Sequence, residues 1–376
     1  MFNSNMKRAL WPIIASVNDL PPNLRFLRKN ALVVGLWLHK GEPDLDVFMK
    51  PFLITLQQLY SDELQVGSIQ VPTIRTVACC VDTMARCKLQ KFKQFNGYDG
   101  CSFCLHPGHT TRHQVKYGYL EEVQTRNYKD TLRAMSVSIS RTMPINGVKG
   151  VSSVILIPSF DIVNQCPVDF IHSVLLGVVK QLCRIWFEKP STSYYIKNKL
   201  HCIDSSLCGI HPFTEASRTT RKISERNTWK ANEWLQWLLH FSSICLKPYL
   251  PNEQYKHHRV LVTSIAQLLQ PNLSENTLNA CDIQLKKYVK DFEIFYSIDE
   301  MNYNVHLLLH IVQCCKNFGP LWAFSLFFYE DINGVLKKYA KGPKEPLIQI
   351  ANRYTMSHAR YYSVVYTKTS IYELFF

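Results

Sequence analysis

The sequence predicts an α/β beginning that gives way to a largely α-helical remainder. Three observations carry that expectation. Short β-prone apolar runs bounded by Pro, Asn, Asp and Gly fill the first hundred residues; long segments with apolar residues at helical spacing fill the chain after Ser159; and the stretch between, residues 96–159, has little period of either kind. Of the 376 residues, 47% are hydrophobic and 19% charged. That balance excludes an intrinsically disordered chain and allows one large core or two to three smaller ones.

Taken in order, Leu10 to Val17 and Ala31 to Leu38 read as strands, and Leu45 to Tyr60 as an amphipathic helix. Ile74 to Val81 reads as a further strand ending on Asp82, followed by a helix over Thr83 to Phe95; strand, acid, helix is a common way to set a carboxylate at a sheet edge. Residues 96–159 are rich in Gly, Pro, Ser, Thr, His and Arg and read as a long loop or insertion. Helices are then expected over Asp169 to Glu188, Thr228 to Tyr249, Gln254 to Leu269, Ser274 to Tyr296, Tyr303 to Lys316 and Pro320 to Tyr339. No repeat recurs at a fixed period.

The longest apolar runs, such as Ala31 to Leu38 and Val305 to Val312, are roughly half the ~20 residues a membrane-spanning helix needs, so no membrane span is expected. Lys7 and Arg8 precede an apolar stretch as in a secretory leader, but Pro12 interrupts it and no small-residue cleavage site follows. The 13 cysteines are odd in number and irregularly spaced, with adjacent pairs at Cys79/Cys80 and Cys314/Cys315. They fit reduced thiols in an intracellular setting better than a disulfide framework. A formal net charge of +14 favours polyanionic partners and says nothing of the fold.

The clearest local motif is Gly100-Cys101-Ser102-Phe103-Cys104, because thiolates two residues apart can turn onto one ion from a single tight loop. The pair supplies half of a tetrahedral site. His106, His109 and His113 offer one completion. His306 and His310 offer another, since residues four apart share a helix face, and the apolar residues all round that helix place the imidazoles in or near the core. Two buried imidazoles need partners: a shared zinc satisfies both, and backbone carbonyls are the simpler alternative. Among the acids, Asp82 ends an apolar run, Asp169 lies in another, and Glu330 follows Phe327, Phe328 and Tyr329. Carboxylates gathered from separate segments are what a two-metal phosphoryl-transfer site requires, although an acid at an element end is more often a cap.

Six ordered blocks give the pattern a family likeness: Cys80 to Arg86, Asn96 to Cys104, Pro167 to Gly177, Trp229 to Glu233, Tyr303 to His306, and Phe318 to Leu321 with Phe328 to Glu330. Together they resemble the transposases of CACTA-type DNA transposons, from about Trp11 to Arg353. The resemblance implies a ribonuclease-H-like core interrupted by a long, mainly helical insertion. It also implies a triad of two Asp and one Glu that holds two divalent metals, Mg²⁺ or Mn²⁺, to cut transposon ends and join them to target DNA. A similar plan is found in the catalytic subunit of the V(D)J recombinase, where a C-x-x-C after the second Asp and paired histidines before the Glu share one zinc. On that match Asp82 is the second triad acid, Glu330 the third, and Cys101, Cys104, His306 and His310 are ligands of a structural Zn²⁺. The implied organisation is residues 1–100 as the N-terminal part of the core, 101–300 as the zinc-braced loop and helical insertion, and 301–376 as helices completing the core.

One departure outweighs the agreements. The family's first triad Asp sits in an Asp-Gly element just upstream of the block that here is Trp11-Pro12-Ile13, and this sequence has no such Asp; Asp19, Asp44 and Asp46 follow the block. The family's Asp-x-Pro-Ala is also altered, to Asp82-Thr83-Met84-Ala85. The expectation is therefore a transposase fragment lacking its first strand and inactive in strand transfer by itself, or a domesticated DNA-binding or scaffold protein. A nuclear location and a homodimer accompany that reading. Three basic groups are candidate phosphate contacts: Lys88, Lys91 and Lys93; Arg218, Arg221, Lys222, Arg226 and Lys230; and Lys337, Lys338, Lys341 and Lys344. Each is as readily a solvated face.

Overall fold

A computed structural model describes residues 9–62, 64–66, 69–71, 73–210 and 221–368. It is 58% helical, and the described strands form three separate two-stranded antiparallel sheets. The chain divides into two compact units. One comprises Met1–Val77, Ser153–Phe160 and Leu326–Phe376; the other comprises Ala78–Ser152 and Asp161–Ser325. The sequence-based boundaries at 100/101 and 300/301 both fall inside the second unit.

In the first unit the β-branched runs pair as a hairpin, Ala9–Ala15 against Leu32–His39, with Trp11 opposite Trp37 and a register slip between Ile13 and Ile14. Among the described residues Pro12 lies on a strand that pairs on one side only, the kind of edge strand on which proline is tolerated. Asp44 starts the Leu45–Ser61 helix by accepting from the N–H groups of Asp46 and Val47. The C-terminal helices Phe327–Tyr339 and Pro346–Lys368 supply the rest of the core, in which Leu10 and Ala31 meet Ile332, Leu336 and Ile350. Tyr354 fastens this arrangement: its hydroxyl donates to the Ala31 carbonyl at 2.8 Å and accepts from the Val33 N–H at 3.0 Å. Arg28 grips Asp331 with two bonds of 2.6 and 2.7 Å.

The second unit is built on helices. Asn252–Leu268 and Glu275–Tyr296 pack together, and Tyr303–Phe318 packs on both Glu275–Tyr296 and the π-helical Ile171–Val179. Gly177 allows the last of these approaches, because a Cβ there would lie 2.7 Å from the Asn304 side chain. Trp186, Trp234, Trp237, Tyr288, Phe292 and Tyr296 fill the interior.

Several elements differ from expectation; the helix expected over Pro320 to Tyr339 is a 3-10 turn at Leu321–Phe324 followed by a helix at Phe327–Tyr339. Residues 73–82 form no strand; the Cys79 N–H donates to the Gln165 carbonyl near the end of the run. The helix after Asp82 stops at Leu89, where Lys91 adopts a left-handed φ of 56° and Phe92 bridges to Val148. The expected loop 96–159 contains the hairpin His109–Thr111/Gln114–Lys116 and the helix Tyr128–Arg141. That helix buries Thr131, Ala134, Met135 and Ser138, a stripe at the right spacing but made mainly of small and polar residues, so hydrophobic periodicity does not reveal it.

Candidate metal centre

Cys101 follows Gly100, where any side chain would strike the Gln94 carbonyl and the Tyr117 hydroxyl; a Cβ would lie 2.4 Å from the former. The loop is tied down by backbone bonds from Asp99 N–H to the Pro107 carbonyl, Leu105 N–H to Gln124 and Arg126 N–H to Phe103. The Phe103 N–H points at Cys101 Sγ from 3.5 Å. On the opposing side, Asn302 caps the Tyr303–Phe318 helix through the Val305 N–H, and the helical repeat then sets His306 and His310 one turn apart on one face.

The four side chains meet. Cys101 Sγ lies 3.5 Å from His310 Nε2 and 3.3 Å from His306 Nε2; Cys104 Sγ lies 3.3 Å from His306 Nε2; and the two Nε2 atoms are 3.2 Å apart. All four ligand atoms fall within 4.8 Å of one another, with Cys101, Cys104 and His306 buried and His310 half-buried. These contacts cannot all be hydrogen bonds, because His306 Nε2 has one lone pair or one proton and faces three partners. A tetrahedral zinc, with Zn–S of ~2.3 Å and Zn–N of ~2.0 Å, would hold S···N pairs at about 3.5 Å and N···N at about 3.3 Å. The chemistry of the donor set and its spacing therefore fit a single metal ion such as zinc.

The surroundings are consistent with thiolates. Arg86 is fully buried with its guanidinium 4.6 Å over the Phe103 ring, and Arg126 donates from Nε to the Cys101 carbonyl at 2.8 Å and from Nη2 to the Asp99 carbonyl at 3.1 Å. Negative charge on Cys101 would favour both guanidiniums, and Asp99 adds to that effect at Arg126. Burial raises the Cys101 thiol, yet its bond with Cys104 and the nearby His306 and His310 outweigh burial and hold it well below the usual thiol value. The bond to Cys101, then burial, pushes Cys104 the other way. Burial lowers His310. His306 Nδ1 has no protein partner, so a hydrogen bond orienting that ring from behind is missing from the described residues.

His106 is excluded as a ligand although its ring centroid is 5.0 Å from that of His306. Its Nε2 bonds the Gly118 carbonyl at 2.8 Å and its Nδ1 accepts the Gly108 N–H at 3.0 Å, which uses both nitrogens. His109 and His113 are exposed on the small hairpin.

The remaining candidates lie elsewhere. Asp82 is half-buried in the second unit and caps its helix, accepting the Ala85 N–H at 2.7 Å. Glu330 is exposed in the first turn of Phe327–Tyr339, in the first unit. Lys88, Lys91 and Lys93 are half-buried. Arg218 lies outside the described residues. Arg221 is bound to Glu233 at 2.6 and 3.0 Å and Arg226 to Glu188 at 2.5 Å, so two cations of the central group are engaged within the protein, whereas Lys222 is exposed. Lys337 is half-buried; Lys338 and Lys341 line a surface cavity of about 510 Å³ together with Arg353 and Tyr339.

Sequence reasoning missed Arg126, which no motif marks; it singled out Asp169 and included His172 in a matched block without reading that the two pair. Asp169 is buried, caps its helix through the Ile171 and His172 N–H groups, and binds His172 Nδ1 at 2.5 Å. The Asp-x-x-His spacing at a helix start was the available signal. No helix among the described residues is long and apolar enough to cross a membrane. No protein-family model and no curated protein sequence matches the chain.

Proposed function

We propose that the chain derives from a CACTA-type DNA transposase with a ribonuclease-H-like core, and that it binds DNA through a zinc-braced fold without cutting or joining strands by itself. The observation that carries the reading is the meeting of Cys101 and Cys104 with His306 and His310 across 202 to 209 residues of sequence, the pairing of distant segments that the family plan requires. Zinc there would supply a closed, structural crosslink, since four protein ligands leave no open position for a water or substrate.

Asp82 and Glu330 are the second and third acids of the ancestral triad in this reading. Asp82 and Glu330 alone, as two carboxylates, would bind Mg²⁺ or Mn²⁺ weakly and position a phosphate poorly. DNA association rests on the +14 charge and on surface cations such as Lys338 and Lys341, which line a surface cavity. Transposon ends or target DNA are the ligands, in the nucleus, with a homodimer as the working form.

A supercoiled plasmid incubated with the purified chain and Mg²⁺ or Mn²⁺ tests the catalytic half. The circle stays closed on this reading. Nicking that disappears in Asp82→Asn would overturn it. A scaffold role without DNA contact is favoured by one observation, the engagement of Arg221 and Arg226 with Glu233 and Glu188. Duplex affinity that does not change with salt would decide for it.

A further inference from the structure

The surface cavity of about 510 Å³ in the first unit has three walls. The end of the Phe327–Tyr339 helix gives Lys338 and Tyr339, the connection after it gives Lys341, and the Pro346–Lys368 helix gives Arg353, Met356 and Ser357. Residues 353, 356 and 357 share one helix face, next to the stripe of Ile350 and Tyr354 that packs on the core of the unit. Helical spacing buries one stripe and turns the neighbouring one to the cavity.

Internal bonds hold the cavity in shape. Gln349 Oε1 accepts from the Lys341 N–H at 2.9 Å and the Gly342 N–H at 3.2 Å, and its Nε2 donates to the Lys344 carbonyl at 2.6 Å, which pins the backbone carrying Lys341 to the second helix. Arg353 Nη1 donates to the Tyr339 carbonyl at 2.6 Å. That bond satisfies a carbonyl at a helix end and fixes the guanidinium plane, and it uses one of five N–H donors. Lys338 and Lys341 are exposed. Among the described residues, three cations and no carboxylate line the cavity. Asp331 is near enough to feel the charge of Lys338, but Arg28 already holds it with bonds of 2.6 and 2.7 Å.

An internal phosphodiester brings a single negative charge, whereas a phosphate monoester brings about −1.5 to −2 at neutral pH and three strong acceptor oxygens. Three cations gathered at one recess match the monoester. Tyr339 and Met356 add an aromatic ring and a thioether, a surface that inorganic phosphate would leave bare and that the base or sugar of a terminal nucleotide would cover. We propose that the cavity binds a phosphate monoester, and that its ligand is the phosphorylated end of a DNA strand. The choice of DNA rests on the function proposed above; the choice of a monoester rests on the cavity. The phosphate oxygens accept from Lys338 Nζ, Lys341 Nζ and the Arg353 guanidinium, and the terminal nucleotide lies along Tyr339 and Met356.

The test is fluorescence anisotropy of the full chain with two short single strands of one sequence, labelled at the 3′ end, one carrying a 5′-phosphate and the other a 5′-hydroxyl. The phosphorylated strand should bind about tenfold more tightly. Lys338→Gln with Lys341→Gln should remove that advantage, and because both side chains are exposed the double variant should keep the wild-type circular dichroism. A nucleoside 5′-monophosphate should displace the phosphorylated strand at lower concentration than inorganic phosphate does. Equal affinity for the two strands would overturn end recognition while leaving DNA binding in place, whereas failure of both strands to bind would overturn the DNA reading and the strand end with it. A preference that survives in the double variant would put the monoester outside this cavity. Inorganic phosphate displacing as well as the nucleotide would make free phosphate the ligand and sink the strand end.

Discussion

His306 and His310 turn their Nε2 atoms to within 3.2 Å of each other in the interior of a helical unit. Two neutral imidazoles reach that distance only as one donor and one acceptor, yet Cys101 Sγ crowds both nitrogens and Cys104 Sγ crowds His306 as well. One cation at the centre answers every contact, and no arrangement of protons does. The ion would also tie a loop that otherwise has few apolar anchors to the helix on which much of the unit packs.

Removing the metal should therefore loosen the unit. Chelation, or Cys104→Ser, is expected to lower the thermal midpoint by roughly 10 °C or more, as loss of a structural zinc removes several kcal/mol of folding free energy. Circular dichroism melts with and without chelator check this; a midpoint indifferent to chelator counts against the site.

Arg126 should matter almost as much as a ligand. Arg126→Met removes the donors to the Cys101 and Asp99 carbonyls and leaves both without their side-chain partner, at a cost of about 2–4 kcal/mol. Urea unfolding measures the loss, and a weakened hold on zinc in competition with a chromogenic chelator would accompany it.

Acid should destabilise the same unit through two histidines that are not ligands. Burial first of all pulls His257 down to about 4 and His258 to about 3, from 6.5. In the folded chain both stay neutral while the unfolded chain takes up protons below 6.5, so stability rises with pH across that window and falls as pH drops from 6.5 towards 4. Each contributes a slope of about 1.4 kcal/mol per pH unit. His258 rests on Ser242 Oγ at 2.8 Å, and His258→Gln should lessen the fall in stability between pH 6.5 and 5 by about half. An unchanged slope in urea titrations would remove His258 from the account.

DNA binding should depend on salt and on the first-unit cavity. Between 50 and 200 mM salt, affinity for a duplex should drop by at least ~10-fold, and Lys338→Glu with Lys341→Glu should weaken binding and flatten the salt slope by about two counterions. Fluorescence anisotropy reads both quantities.

Much of this was legible in the residues. Leu10 to Val17, Ala31 to Leu38 and Leu45 to Tyr60 announced their elements through β-prone runs bounded by turn residues and through apolar residues at helical spacing. The candidate metal ligands were legible because chemistry restricts such groups to few residue types at few spacings. Tyr128–Arg141 was hidden, since its buried stripe is Thr, Ala, Met and Ser. Ile74 to Val81 misled for the opposite reason: it has strand composition yet forms no strand, because β-propensity depends on packing context that the local sequence does not display. Pairings across long separations, such as Tyr354 with Ala31 and Arg126 with Cys101, leave no local trace at all.

X-ray absorption at the zinc edge of the purified chain is the most direct test of the central claim. Two sulfurs at about 2.3 Å and two nitrogens at about 2.0 Å, with one zinc per chain, are the predicted result, and the sulfur shell should shrink to one in Cys104→Ser. An all-oxygen shell, a four-sulfur shell, or a chain that folds fully and binds no zinc would contradict it.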